Sequence, residues 1–165
     1  MALDRSWIEQ HIPHKGRMCL LDEVLNWDAT QIRCRSATHR TGDNPLRAYG
    51  RLGVVCGIEY AAQAMAVHGA LVGASAPLAS AMSVHVRESV GAAVGYLASV
   101  RSVTLHVERL DDLESDLIAS AARLAGDART VLYEFCVTSA QRPLLEGRAS
   151  IVIDPAFGIT AGVAS

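Results

Sequence analysis

The chain has 165 residues, enough for one sizeable core and short for two, so we expect a single domain over residues 1–165. Its 15 basic and 17 acidic residues give a net charge of −2, and no Lys/Arg cluster interrupts the sequence, which argues against binding to nucleic acid. The N-terminus carries Asp4, Arg5 and Glu9 and lacks the apolar region of a secretory signal, so we expect a cytoplasmic protein.

The N-terminal elements are short. Residues 6–10 predict a helical turn capped by Ser6, which ends before Pro13. Residues 18–27 predict a first strand, and residues 31–38 predict a second. The second strand alternates, with one face formed by Ile32, Cys34 and Ser36.

The middle of the chain predicts one enclosed helix. Between Leu52 and Val86 the only formally charged side chain is that of Glu59. This stretch is long, yet its glycines, serines, Gln63 and His68 make it too polar for an ordinary membrane span. A helix over residues 54–72 that is apolar on every side is better explained as one surrounded by protein.

The remaining chain favours strands, over residues 92–107, 117–125, 131–140 and 146–153, followed by a tail. Strands that follow one another without intervening helices predict an antiparallel sheet, here curled around one long helix, in an α+β fold. The ordered core is expected over about residues 7–153. Such a sheet has an exposed edge that often pairs with a second subunit, so we expect a dimer or larger assembly.

Glu59 is the most informative residue, because a lone carboxylate in an apolar run is costly to bury without partners. It is either a partnered structural acid or an acid with a raised pKa for proton transfer. Gln63 lies one helical turn further on the same face. Its amide can orient the carboxyl of Glu59, or it can be a structural amide that is hydrogen-bonded in the core.

Two further features are weaker candidates. Val54, Val55 and Gly57 lie at the helix start, where free backbone N–H groups suit a thioester or carboxylate oxygen. His14 follows Ile12-Pro13 on an entry loop, as a surface residue or as a proton carrier. The four cysteines form no Cys-x-x-Cys pair and sit in apolar runs, so we expect core packing and no metal site.

Two segments carry a family resemblance. Residues 12–24, Ile-Pro-His-Lys-Gly-Arg-Met-Cys-Leu-Leu-Asp-Glu-Val, resemble the opening of the hotdog dehydratases of fatty-acid synthesis. Residues 57–66, Gly-Ile-Glu-Tyr-Ala-Ala-Gln-Ala-Met-Ala, resemble their central helix, where a catalytic acid precedes Gln by four residues. The chain is most similar to the divergent dehydratase-like proteins of aryl polyene gene clusters.

The resemblance implies a hotdog fold and dehydration of a 3-hydroxyacyl thioester, carried on acyl carrier protein, to the trans-2-enoyl thioester. It implies Glu59 as the catalytic acid, with Gln63 and the N–H groups of Val54, Val55 and Gly57 binding substrate. No metal or redox cofactor is needed for this reaction. Surface arginines such as Arg47, Arg51 or Arg101 are candidates for contact with an acidic carrier protein.

One departure from the family pattern leaves three alternatives for the function of the chain. The turn that holds the family's catalytic histidine falls here at Asn44-Pro45-Leu46, which contains no histidine. Either His14 has taken over as the base, or the chain is a weakly active or inactive subunit of a heterodimer. A thioesterase of the same fold is the third alternative, because an acid on the central helix can activate water without a histidine.

Overall fold

The computed structural model describes residues 3–75 and 94–154. The predicted tail, His85, most of the predicted loop after the helix and the first residues of the third predicted strand lie outside these ranges. Within them the expected α+β architecture is confirmed, as a six-stranded antiparallel sheet packed on one long helix.

The first helix, α1 (Arg5–His11), begins one turn before the apolar positions that it buries. Its N-cap is Asp4, whose backbone is extended and whose carboxylate accepts the N–H of Trp7 at 3.0 Å. The predicted cap at Ser6 is therefore wrong, because Asp4 reaches the same free N–H groups from an earlier position. Ile8 is the residue that anchors α1 to the core.

The sheet has the order β1-β2-β4-β5-β6-β3, and every neighbouring pair is antiparallel. Its strands are β1 (Glu23–Trp27), β2 (Gln31–Ser36), β3 (Val94–Leu105), β4 (Leu117–Gly126), β5 (Thr130–Ser139) and β6 (Arg142–Asp154). The predicted alternation of β2 is confirmed, since Ile32, Cys34 and Ser36 are buried. The first strand is shorter than predicted, because Leu20 and Leu21 enter the core before regular pairing begins at Glu23.

The last hairpin also differs from the prediction. The residues Gln141-Arg142-Pro143 predict a turn after the strand at 131–140, but β6 already starts at Arg142 and includes Pro143. The turn is made instead by Ala140 and Gln141, whose φ angles are 48° and 64°. Two successive residues with positive φ suit the tight turn of a twisted hairpin, which brings β6 into register two residues earlier.

The long helix, α2 (Gly57–Ser75), follows a short 3-10 turn at Val54–Cys56. Its residues are buried around much of its circumference, as expected of a helix that a sheet surrounds. A Cβ placed on Gly57 would lie 2.3 Å from a methyl of Leu145 on β6, so the helix start is tightly packed on the sheet. The segment Val54–Ser75 is long and apolar enough to span a membrane, with a mean hydropathy of 1.2, but 56% of it is buried in the fold. A core helix meets the same criterion.

The two sheet edges differ in how they are covered. Beside β1, the chain before α1 forms a bridge between Asp4 and Glu23, and the N–H of Val24 donates to the carbonyl of Leu3 at 2.8 Å. On the opposite edge, β3 pairs with β6 on one side, and its Val103 and Leu105 are exposed. An apolar edge strand of this length is the usual place for another strand to add.

Candidate active site

The first turns of α2 bring the predicted acid and amide together. The amide of Gln63 donates to Oε1 of Glu59 at 3.0 Å and to the carbonyl of Met18 at 2.8 Å. Its oxygen accepts the N–H of Leu20 at 2.8 Å, and the Gln63 side chain is fully buried. Gln63 therefore orients the carboxyl of Glu59 and also provides hydrogen-bond partners for the backbone groups of Met18 and Leu20. The two predicted uses of its amide are compatible.

His14 lies beside the same carboxyl oxygen. Its Nε2 is 3.1 Å from Oε1 of Glu59, and both side chains are about one-third exposed, at 29% and 33%. The Nδ1 atom of His14 is buried and finds no hydrogen-bond partner in the part of the chain that the structure describes. Because Nε2 faces Glu59 and Nδ1 is buried, His14 can act on a substrate only through Glu59 or after leaving it.

The electrostatics of Glu59 follow from these contacts. Burial raises the pKa of its carboxyl, but the hydrogen bonds from His14 and Gln63 and the charge of His14 outweigh burial, so the pKa lies below its usual value. This favours the partnered acid over a carboxyl with a raised pKa. Oε2 of Glu59 has no hydrogen-bond partner among the described residues, which leaves it available to a substrate.

Most of the backbone N–H groups predicted to bind a substrate oxygen already donate hydrogen bonds within the protein. The N–H of Val54 donates to the carbonyl of Glu108 at 3.1 Å, and that of Gly57 donates to the carbonyls of Val54 and Val55. In this structure the N–H groups of Val54 and Gly57 are thus bonded, one to the segment that follows β3 and the other within the 3-10 turn. Val55, whose side chain is 60% exposed, is the remaining candidate of the three.

The position that holds the family's histidine has a structural use here. Asn44 is buried, and its amide nitrogen donates to the hydroxyl of Tyr60 at 2.9 Å and to the carbonyl of Thr38 at 2.9 Å. Its oxygen accepts the N–H of Leu46 at 2.9 Å. Asn44 therefore points into the protein rather than toward Glu59. The sequence did not assign a role to Tyr60 or Thr38, since neither is charged and Tyr60 appears in the family segment only as a neighbour of Glu59.

The other described histidines do not contact Glu59. His39 and His68 are buried, and burial lowers the pKa of each imidazole. His11 stacks on Trp7 with the ring centroids 3.8 Å apart, and His106 pairs with Glu146 at 3.5 Å.

The predicted carrier-contact arginines fall into two groups. Arg47 is held within its own loop by the carbonyls of Thr41 and His39 and by Asp111, so it serves local structure. Arg51 and Arg101 are exposed.

A cavity of about 320 Å³ opens beside Asn44. Its lining includes Arg5, Arg17, Asp22 and Thr38, whereas Glu59 is not among the lining residues. Glu59 therefore lies outside this cavity, and its side chain remains one-third exposed.

Comparison with solved structures identifies the fold. A dehydratase heterocomplex, ApeI:P from Xenorhabdus doucetiae, matches with a TM-score of 0.72 and 21% identity, over 89% of this chain and 90% of that chain. A thioesterase from Pseudomonas aeruginosa matches with a TM-score of 0.53 and 11% identity, over 79% of each chain. A hypothetical thioesterase from Streptococcus pneumoniae, solved with coenzyme A, matches with a TM-score of 0.53 and 10% identity, over 80% of this chain and 84% of that chain. The expected hotdog fold is confirmed.

Comparison of sequences identifies the family. No curated protein sequence matches the chain. The sequence model of the ApeP-like family, described as ApeP dehydratase, matches residues 6–158. That range includes the six strands, α2, all of α1 except Arg5, and both segments on which the resemblance rested, so the chain belongs to the ApeP-like dehydratase family.

Proposed function

We propose that the chain supplies the proton-donating half of a dehydratase site, which converts a 3-hydroxyacyl thioester on acyl carrier protein to the trans-2-enoyl thioester. We place this reaction in the cytoplasm and in aryl polyene biosynthesis. The observation that carries the proposal is the contact of 3.1 Å between His14 and Glu59 at the start of α2. An assay of the purified chain with 3-hydroxyacyl thioesters, alone and with a second hotdog subunit, tests it by the absorbance of the enoyl product.

The pair formed by His14 and Glu59 can hold one proton for the leaving hydroxyl. The carboxyl is ionised in the resting chain because its pKa is lowered, and Nε2 of His14, 3.1 Å from Oε1, can carry the proton that the pair shares. The proton can pass from Nε2 to the carboxylate, and the carboxyl group then delivers it to the 3-hydroxyl. The C2 proton leaves to a base, the C3–O bond breaks and water departs.

We propose that the base comes from a second hotdog subunit. The family's histidine position is occupied here by Asn44, which is buried against Tyr60. Glu59 and His14 are partly exposed on a face that one chain does not close, as expected of a site shared between two subunits. The ApeI:P structure, which is a heterocomplex, supports a heteromeric assembly over a homodimer.

Replacing His14 tests the shared proton. We expect His14→Gln to lower kcat about 10- to 100-fold at neutral pH, within the range for a general acid–base group. A carboxyl alone loses its proton at a lower pH than a pair containing an imidazole, so the alkaline limb of the rate profile should move to lower pH. The Glu59 pKa should rise at the same time, because a bond that lowers it is lost. His11→Gln, on exposed α1, is the control; an unchanged profile in His14→Gln contradicts the pair.

We also expect the chain to associate with a second subunit through β3, the open edge of the sheet. We expect Leu105→Arg on β3 to weaken association with the second subunit at least tenfold, because it places a charge on an exposed apolar edge. Leu124→Arg on β4 is the matched control, since the two leucines are 50% and 46% exposed. Light scattering after size-exclusion chromatography measures both. Equal association of the two variants would place the interface elsewhere.

Thioester hydrolysis is a second candidate, favoured by one feature of the site. An ionised carboxylate with a free oxygen can take a proton from an attacking water, as hydrolysis of a thioester requires. Release of free thiol without a rise in enoyl absorbance would identify hydrolysis. Formation of the enoyl thioester identifies dehydration, the activity of the family to which the chain belongs.

A further inference from the structure

A chain of hydrogen bonds runs from Asn44 to the reactive carboxyl. Asn44 donates to the hydroxyl of Tyr60 at 2.9 Å, and that hydroxyl lies 3.0 Å from Oγ1 of Thr38. Thr38 donates to the carbonyl of Leu20 at 2.8 Å. The N–H of the same residue, Leu20, donates to the oxygen of Gln63 at 2.8 Å, and Gln63 donates to Glu59 at 3.0 Å.

One assignment of protons satisfies these bonds in a single direction. Thr38 has one hydroxyl proton, and when it goes to the carbonyl of Leu20, Tyr60 donates to Thr38. The oxygen of Tyr60 then accepts from Asn44, whose amide nitrogen has only protons to give. In this arrangement the donors point toward Glu59 in two runs, one ending at the carbonyl of Leu20 and one beginning at its N–H, and the covalent backbone of Leu20 joins the two runs.

Burial makes the chain of bonds rigid. Tyr60, Gln63 and Leu20 are fully buried, and Asn44 is 5% exposed, so none of these groups can exchange its partner for water at low cost. Because the N–H of Leu20 takes the oxygen of Gln63, the amide nitrogen must face Glu59. That nitrogen holds Oε1 and leaves Oε2 for the substrate.

We propose that Asn44, Tyr60 and Thr38 are positioning residues, which fix the peptide of Leu20 and, through Gln63, the orientation and charge of Glu59. This inference rests on the proposed role of Glu59 in dehydration. Asn44 thus keeps a part in the site without touching substrate, at the position where related dehydratases carry their base.

Two matched tyrosine variants test the positioning role. Tyr60→Phe removes a buried hydroxyl carried by α2 itself, and Tyr133→Phe removes one on β5 that lies 2.8 Å from Nδ1 of His68, nine residues after Glu59 along α2. We expect Tyr60→Phe to lower kcat about tenfold with KM unchanged and to raise the Glu59 pKa, whereas Tyr133→Phe does neither. A purely structural role predicts similar losses of Tm and no change in Glu59 titration in either variant.

Two different measurements test this inference and the proposed function independently. Carbon-13 NMR titration of the Glu59 carboxyl in the purified chain needs no turnover, and the steady-state assay uses the chain with its second subunit. Identical Glu59 titration in wild type and Tyr60→Phe overturns the positioning role, whatever the activity. No dehydration by wild type rejects the proposed function, and the titration still decides the inference. If Tyr60→Phe does not fold, Thr38→Val interrupts the same chain of bonds and must raise the Glu59 pKa.

Discussion

Glu59→Gln is expected to lower kcat for dehydration 10²- to 10⁴-fold, the range that loss of a positioned proton-transfer group produces. Glutamine keeps the volume of the side chain and can still contact Gln63 and His14, so the fold should be retained. KM should change little, because the substitution removes a group that acts on the transition state rather than one that anchors the acyl chain. Steady-state kinetics of the active assembly, together with circular dichroism, measure both effects.

The control for this variant is Glu114→Gln, an exposed acid in the segment before β4. It makes the same chemical change away from α2 and should leave kcat within experimental error. If Glu59→Gln kept more than a tenth of the wild-type kcat while Glu114→Gln was unaffected, Glu59 would not be the proton carrier. The catalytic role would then have to lie wholly in the second subunit.

Gln63→Leu is expected to cause the largest loss of stability among the site variants. Leucine fills much of the same space but leaves the N–H of Leu20 and the carbonyl of Met18 without their partner, and Gln63 is fully buried. Each orphaned buried group costs about 1–3 kcal/mol, so the free energy of unfolding should fall by about 2–5 kcal/mol. Urea denaturation with an unchanged m-value measures this difference.

The same variant changes the response to pH. The Glu59 pKa is lowered in the fold, so Glu59 stabilises the protein above its unfolded pKa, and this contribution is lost as the pH falls through the folded pKa. Without Gln63 the folded pKa rises, and the acid-dependent loss becomes smaller. Gln10→Leu on α1 is the matched control, because Gln10 is exposed and its side chain makes one contact, of 3.4 Å, to Ser6. Its stability should stay within about 0.5 kcal/mol of wild type.

Much of the fold was predictable because local patterns agree with the tertiary structure. The nearly uncharged run around Glu59 predicted a helix enclosed by protein, and α2 occupies that run. The alternation in residues 31–38 predicted the buried face of β2. One prediction failed at the cap of α1, where a neighbouring residue makes the expected hydrogen bond. Asp4, two residues before Ser6, accepts the free N–H at the helix start.

The candidate site was predictable only in its local part. Glu59 and Gln63 are one helical turn apart, so the period of the helix alone places them on one face. The contact between His14 and Glu59 joins residues that are 45 positions apart, and the Tyr60 hydroxyl meets Asn44 across a loop. Patterns of period two or 3.6 carry no information about such contacts.

By itself, the sequence determined the α+β class, the enclosed helix and the acid it carries, because burial patterns and the cost of a lone carboxylate act over a few neighbouring residues. The tertiary structure alone decided what that acid is: an ionised carboxylate held by Gln63 and His14. It also decided that Asn44 faces inward and that β3 is the open edge. The reason is physical, since the charge of a buried group and the exposure of a strand depend on atoms that only the folded chain brings within hydrogen-bonding distance.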